Sequence, residues 1–201
     1  APFCVESPTC EQVAELLDLG SGQVVPFHIV VDGSCEARID GESSVTLGPD
    51  DVVVFLHGGT HIVASPGTTE AVPIAPLLPP PPYDGQIQRI RYGGGGPLTV
   101  MMCGFLQHET AVFNPLFGSL PRVVAVNGRS GDKKQHLFDI LQIIEEEARA
   151  ARPGGACLLA RLTEMMFIEV LRTYLLEAPP KDGGWLRGTQ DPFVSRSLQL
   201  L

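Results

Sequence analysis

Short apolar runs separated by turn dipeptides fill the chain up to about residue 128. Asp-Gly and Gly-Gly pairs favour the tight turns that join antiparallel strands. Such pairs recur at Asp32-Gly33, Asp40-Gly41 and Gly58-Gly59, with Gly48-Pro49 between them. This spacing predicts an antiparallel sandwich or barrel rather than a parallel α/β sheet. The predicted strands cover residues 2–5, 24–39 (as two strands), 45–47, 52–56, 61–64, 86–92, 98–106 and 122–126.

After Asp132 the apolar residues recur with the period of a helix instead. One helix is predicted from about Lys133 to Arg152, and a second from about Ala156 to Glu177. Two more helix starts carry a capping residue followed by proline, at Ser7-Pro8 and at Asp191-Pro192. The region between Ala178 and Thr189 is predicted to be a linker because of its proline and glycine pairs.

The second long helix is apolar around most of its circumference, which is typical of a helix buried on most sides. Its partner helix and the barrel would each cover one side of it. We expect a remaining strip that includes Met165, Met166 or Phe167 to pair two copies of the chain. A homodimer with two-fold symmetry is therefore predicted.

The stretch from Asp50 to Ser65 resembles the second cupin motif, G-x5-P-x-G-x2-H-x3-N. Gly58 and His61 match this motif, whereas Asp50, Leu56 and Ser65 replace its first glycine, its proline and its asparagine. In the first motif two histidines and a glutamate precede a glycine. If Gly33 is that glycine, Pro26 stands in the glutamate position and no histidine pair precedes it. Three of the four usual metal ligands are missing, which fits a cupin that binds rather than catalyses.

The order of parts resembles the ligand-binding portion of AraC-type transcriptional regulators. The parts are the cupin, Cys103-Gly104, the Leu120-Pro121 turn, the helix pair, and a segment containing Trp185-Leu186-Arg187 and Asp191-Pro192. The resemblance implies a mainly β fold, a cupin-type double-stranded β-helix (jelly roll), followed by an antiparallel helix pair. It implies an effector-binding barrel over residues 1–128, a dimerisation and relay region over 129–178, and a linker with an entry helix over 179–201. We expect the chain to be cut from a longer protein whose helix-turn-helix DNA-binding domain would follow.

The net charge and the cysteine content limit which partners and which cellular location are expected. The net charge is −9 and the chain contains only three lysines. We therefore expect no basic face through which the given sequence itself would bind DNA. Five cysteines without a C-x-x-C pair argue against a disulfide framework and for a reducing, cytoplasmic location. No apolar run approaches the roughly 20 residues that span a bilayer, so we expect no membrane partner.

His28, His61 and Cys103 are the candidate site residues, because each falls in a predicted strand. On the cupin resemblance all three point into the barrel, where they would bind an effector. Imidazole and thiolate also suit zinc, so a zinc site with these three ligands is one hypothesis. The other is that each is a buried polar residue hydrogen-bonded to backbone or ligand. His57 could replace one of them, although it is expected at a strand end.

Two functions remain open on these grounds. The first is a non-catalytic sensor, in which a small effector enters the barrel and the helix pair relays its presence to the DNA-binding domain. The second is a small metal-dependent cupin enzyme such as an isomerase or dioxygenase. The depleted metal motif and the entry helix favour the sensor and predict that the chain is not an enzyme. Cys103 and Cys35 are additional candidates for oxidant sensing.

Overall fold

The computed structural model describes residues 2–16, 23–79, 87–108, 118–128, 135–150, 152–177, 188 and 191–198. Several sequence features lie outside these residues. They are Gln86, most of the proline tract, the segment around Trp185, and the two adjacent lysines before the first long helix. The described helices are not long and apolar enough to cross a bilayer.

The described residues form nine strands in two facing sheets. The five-stranded sheet has the order β4-β3-β6-β1-β7, and the four-stranded sheet has the order β8-β2-β5-β9. Neighbouring strands run antiparallel, except for the parallel pair β1 and β7. The bounds are β1 (Cys4–Glu6), β2 (Gln23–Asp32), β3 (Cys35–Arg38), β4 (Val45–Leu47), β5 (Asp51–Phe55), β6 (Ile62–Ala64), β7 (Val72–Pro73), β8 (Val100–His108) and β9 (Val123–Asn127).

Most of the predicted strands are present within a residue or two, and the predicted mainly β architecture is confirmed. The strand predicted over 86–92 is wrong for the residues that the structure describes, since 87–99 contain no strand. The backbone turns at Gly93, Gly94 and Gly95 with φ values of 81°, 149° and 77°. In the structure β8 pairs antiparallel with β2, and residues 87–92 pair with no described strand.

Each face of the four-stranded sheet belongs to a different apolar core. Side chains alternate along β2, so that Val30 faces the other sheet while Phe27 and Ile29 face away from it. The core between the sheets contains Val30, Cys35, Ala37, Ile39, Leu47, Val53, Phe55 and Val63. The second core lies between the four-stranded sheet and the helices. The central strands β2 and β5 of the four-stranded sheet are therefore buried on both faces.

Four α-helices are described, namely α1 (Cys10–Leu16), α2 (Gln135–Ala150), α3 (Gly155–Glu177) and α4 (Pro192–Leu198). The start of α1 corrects the sequence prediction, because Thr9 caps it rather than Ser7. The Thr9 hydroxyl accepts from the Gln12 amide at 3.2 Å, and the Gln12 side chain accepts from the Thr9 amide at 2.9 Å. This reciprocal pair is a capping box. At α4 the Asp191 carboxylate accepts from the amides of Phe193 and Val194, as expected of a cap.

The helix pair packs on the outer face of the four-stranded sheet. Leu137, Leu141 and Ile144 of α2 and Met166 and Val170 of α3 are buried against it. A tight turn with Gly154 at φ 81° lets α3 run back along α2. The predicted pair of antiparallel helices after the barrel is confirmed, with α3 beginning one residue earlier than predicted.

Candidate functional site

Two histidines from opposite sheets meet inside the barrel. His28 lies on the inward face of β2, and His61 immediately precedes β6 in the five-stranded sheet. Their Nε2 atoms are 2.6 Å apart, which is a direct hydrogen bond between the rings. His61 is buried, with 3% of its surface exposed, and His28 is mostly buried. The structure therefore brings these two candidate residues into contact.

Ser7 is the third member of this group, and sequence reasoning missed it. Its Oγ lies 2.8 Å from Nδ1 of His61 and accepts a hydrogen bond from the His61 backbone amide at 2.9 Å. The Ser7 amide in turn donates to the His61 carbonyl at 2.8 Å. The serine was expected to cap α1, but this contact with a residue far along the chain uses its hydroxyl instead. Its position before a proline gave no signal of that role.

Phe55 fixes the two imidazoles from the side. Its ring stacks on His61 with centroids 3.8 Å apart and an angle of 16° between planes. The same ring meets His28 edge to face, with centroids 5.9 Å apart. Phe55 comes from β5, next to β2 in the four-stranded sheet. The polar group is thus enclosed by apolar side chains.

Burial keeps both imidazoles neutral. It lowers the pKa of His28 from 6.5 to about 4, because the charged ring would lose its hydration. Burial also lowers the pKa of His61 to about 2, and the neighbouring His28 adds to this effect. Two neutral rings share one hydrogen between their Nε2 atoms, so one ring donates and the other accepts.

The two hydrogen bonds that link Ser7, His61 and His28 can run in either direction. If Ser7 donates to His61, then His61 donates to His28, and Nδ1 of His28 carries a hydrogen. If His28 donates to His61, then His61 donates to Ser7, and Nδ1 of His28 has a free lone pair. In both cases Nδ1 of His28 is a buried atom without a hydrogen-bond partner among the described residues.

Cys103 lies directly opposite His28 on the neighbouring strand β8, so both side chains are on the same face of the sheet. The residue is exposed to solvent. The surrounding protein nevertheless raises the pKa of its thiol to about 12, mainly by desolvation. The thiol is therefore solvent-accessible and still lies close enough to the packed interior for its thiolate to be disfavoured. Burial also raises the pKa of the Cys35 thiol, to about 11. Neither thiol forms much thiolate at neutral pH, which does not favour the oxidant-sensing hypothesis.

The three residues do not fit a zinc ion in this arrangement. Two nitrogens on one tetrahedral zinc lie roughly 3.3 Å apart, given bonds of about 2.0–2.1 Å, whereas the Nε2 atoms here are 2.6 Å apart. Over the described ranges, no three or more His, Cys, Asp or Glu side chains gather as a metal site. Zinc at His28, His61 and Cys103 stays a prediction without support from this donor set.

The order of hydroxyl, imidazole and second imidazole is that of a nucleophile, a base and an orienting group. The chemistry of the group does not match this order. His61 is a weak base, because its pKa lies near 2. The Ser7 oxygen also holds the His61 backbone amide. The arrangement is therefore suited to hydrogen bonding within the barrel rather than to proton abstraction.

His57 and His136 lie outside this group. Nε2 of His57 lies 3.0 Å from the Leu120 carbonyl, in the turn after β5, so His57 does not replace His28 or His61. His108, expected in a loop, is the last residue of β8. His136 is exposed on α2, as expected for a solvated residue at a helix start.

Comparisons with known proteins identify the fold family. A family model described as Cupin matches residues 2–176, which is well over half of the chain. A search of curated proteins finds no match.

Proposed function

The chain belongs to the cupin family, and we propose that it is the ligand-sensing and dimerisation part of an AraC-type transcriptional regulator. In this proposal a small effector binds in the barrel beside His28, His61 and Cys103. The helix pair α2–α3 joins two subunits and relays the ligand state to a DNA-binding domain. Any contact with DNA would be made by that domain, since these residues are acidic overall.

The observation that carries the proposal is the position of β2 between the candidate site and the helices. His28 faces the interior, while the adjacent Phe27 and Ile29 pack in the core that contains α2 and α3. A ligand that moves the backbone at His28 therefore also moves side chains that support the helix pair. Packed interiors transmit such small displacements, because they have little free volume.

A strip of exposed apolar side chains on α3 supports the dimer. Leu158, Met165, Ile168 and Leu176 lie on one side of the helix and are 44%, 52%, 50% and 66% exposed. Of the three residues expected in this strip, Met165 is exposed, Met166 is fully buried and Phe167 is partly buried. Met166 faces the barrel because it lies about 100° around the helix from Met165. A second copy of this chain would cover the strip.

The test of the dimer is the substitution Met165→Glu. We expect the unchanged chain to sediment as a dimer at micromolar concentration. The variant should sediment as a monomer, because a buried, unpaired carboxylate opposes association. Sedimentation equilibrium measures both dissociation constants. Ala160→Glu is the matched control, since it adds the same charge to an exposed residue about 140° around the helix.

The control should remain dimeric and both variants should keep the far-ultraviolet circular dichroism of the unchanged chain. A monomeric unchanged chain would refute the dimer. The effector is tested separately by native mass spectrometry of the purified protein. A bound small molecule that is lost on unfolding would support the sensor, whereas turnover of a bound substrate would contradict it.

A further inference from the structure

Nδ1 of His28 is the one atom of the buried histidine group that lacks a partner within the described ranges. Leaving a buried donor or acceptor unpaired costs about 1–3 kcal/mol. Native structures pair nearly all such atoms, so an exception requires an explanation. A ligand that hydrogen-bonds to this atom would remove the cost.

We propose that Nδ1 of His28 is the polar anchor of the barrel's ligand site, and that the ligand is a small, uncharged, largely apolar molecule with one hydrogen-bonding group. This inference rests on the proposed effector-binding function and names the chemical class of the effector. Three features of the structure around His28 support the inference.

The first part is the exposed stretch of β8 beside His28. Met101, Cys103 and Phe105 alternate along β8 and therefore share a face with each other. Met101 packs in the core between the sheets, which fixes that face as the inward one. Cys103 and Phe105 on the same face are nevertheless exposed, Phe105 to 38%. Solvent therefore reaches this face of β8 at Cys103 and Phe105, on the strand that pairs with β2, which carries His28.

The second part is the absence of charge near the anchor. Among the described residues, the side chains that contact the histidine pair are those of Ser7 and Phe55, and both are uncharged. A carboxylate or ammonium group placed here would lose its hydration and gain no opposite charge. The site therefore selects uncharged ligands.

The third part is the composition of the walls. Phe55 lies edge-on to the His28 ring, and Val30, Val53 and Met101 surround the same interior. These side chains favour an apolar or aromatic body for the ligand. One polar group on that body is sufficient, because only one atom of the histidine group requires a partner.

The ligand's polar group also sets the direction of the hydrogen-bonded chain. An acceptor at Nδ1 of His28 selects the form in which Ser7 donates to His61. A donor at Nδ1 selects the reverse, in which the hydrogens shift toward Ser7. Ligand binding at His28, in the four-stranded sheet, therefore determines which atom donates in the hydrogen bond between His61 and Ser7. Ser7 lies at the start of the segment that leads into α1.

The test uses three probes with the same aromatic body, namely benzyl alcohol, benzoate and benzylamine. Imidazole nitrogen chemical shifts of histidine-labelled protein are followed by nuclear magnetic resonance while each probe is added. We expect benzyl alcohol to shift the His28 and His61 nitrogens saturably at millimolar concentration. Benzoate and the benzylammonium ion should bind at least about tenfold more weakly, because both are charged.

Two variants and a control locate the binding. His28→Phe keeps a planar aromatic ring and removes Nδ1, so benzyl alcohol affinity should fall by about fivefold to tenfold. Cys103→Phe leaves His28 unchanged and places a bulky ring on the exposed stretch of β8 opposite it, and it should weaken binding even if His28→Phe does not fold. His136→Phe changes an exposed histidine on α2 and should leave the affinity unchanged.

Each result has a defined consequence. Tighter binding of benzoate at His28 would overturn the uncharged class and leave the proposed sensor intact. Benzyl alcohol binding that is unaffected by both His28→Phe and Cys103→Phe would overturn the anchor. The lack of a response to every probe would also overturn it, whereas the sensor itself is judged separately by the bound effector and the dimer.

Discussion

His28 and His61 are held where their protonated forms are disfavoured, and this links the stability of the fold to pH. An unfolded chain protonates both rings near the ordinary pKa of 6.5, but the folded protein protonates His28 only near pH 4. Between these values the unfolded state binds more protons. Stability is therefore complete above about pH 6.5 and is lost as the pH falls toward 4.

The loss attributable to His28 is about 3 kcal/mol. Urea unfolding, followed at several pH values between neutrality and pH 4, measures the free energy of unfolding across this window. His28→Phe should flatten the dependence by removing one titrating group, while His136→Phe should preserve it. A free energy that stays constant from neutrality to pH 4 in the unchanged chain would contradict this account.

Gly104 is a second residue whose identity is set by its surroundings. A Cβ there would lie 2.5 Å from Cζ of Phe27, whose ring packs in the core beneath the helices. Gly104→Ala should lower the free energy of unfolding by about 1–3 kcal/mol, because Phe27 must shift. Gly96→Ala is the control, since nothing lies within 4 Å of its Cβ position. Equal urea midpoints for the two variants would show that Phe27 moves without cost.

Part of the candidate site could be predicted from the sequence. His28 and His61 could be placed in the barrel from the apolar pattern and the cupin resemblance. Ser7 could not, because its contact with His61 joins residues 54 positions apart and its local pattern predicts a helix cap. The unpartnered Nδ1 of His28 is likewise a property of the packed rings, and the pattern of one strand does not determine it.

At the scale of elements, the sequence was most informative where one periodicity persisted. The helical period after Asp132 predicted both α2 and α3, and Leu137, Leu141 and Ile144 of α2 lie in the core. The strand predicted over 86–92 failed for its described residues, because alternation alone does not identify a pairing partner. The available partner strand β2 is occupied on one side by β8 and on the other by β5.

The turn between α2 and α3 depends on a buried carboxylate. Glu147 is 5% exposed, and its Oε2 lies 3.6 Å from the Arg152 guanidinium. Its Oε1 lies beside Gly155, the first residue of α3, where a Cβ would come within 2.8 Å of it. A negative charge at this position stabilises the N-terminus of a helix.

Glu147→Ala should therefore lower the free energy of unfolding by about 1–2 kcal/mol. The neighbouring Glu146 is exposed, so Glu146→Ala is a matched control and should change the value by less than about 0.5 kcal/mol. Urea unfolding monitored by circular dichroism compares the two variants. If Glu146→Ala were as destabilising as Glu147→Ala, the contact at Gly155 would not be the cause.

At the scale of the whole molecule, the barrel and the helix pair share one sheet. The inward face of the four-stranded sheet contributes Val30, Val53 and Phe55 to the core between the sheets. Its outward face contributes Val25, Phe27, Ile29, Val52 and Val54 to the core with α2 and α3. A boundary near residue 128 follows the change of periodicity along the chain, but in space it cuts through the second core.

The barrel is consequently predicted not to fold stably without the helices. A chain that ends at Gly128 would expose the outward face of the four-stranded sheet, and an uncovered apolar face of that size favours aggregation. A chain that ends at Glu177 keeps α2 and α3 and serves as the control. Thermal unfolding by circular dichroism should show one cooperative transition for the longer chain and none for the shorter one, which should also bind a hydrophobic dye. A cooperative transition in the chain ending at Gly128 would instead establish residues 1–128 as an independent domain, and the relay through β2 would then require a looser contact between barrel and helices.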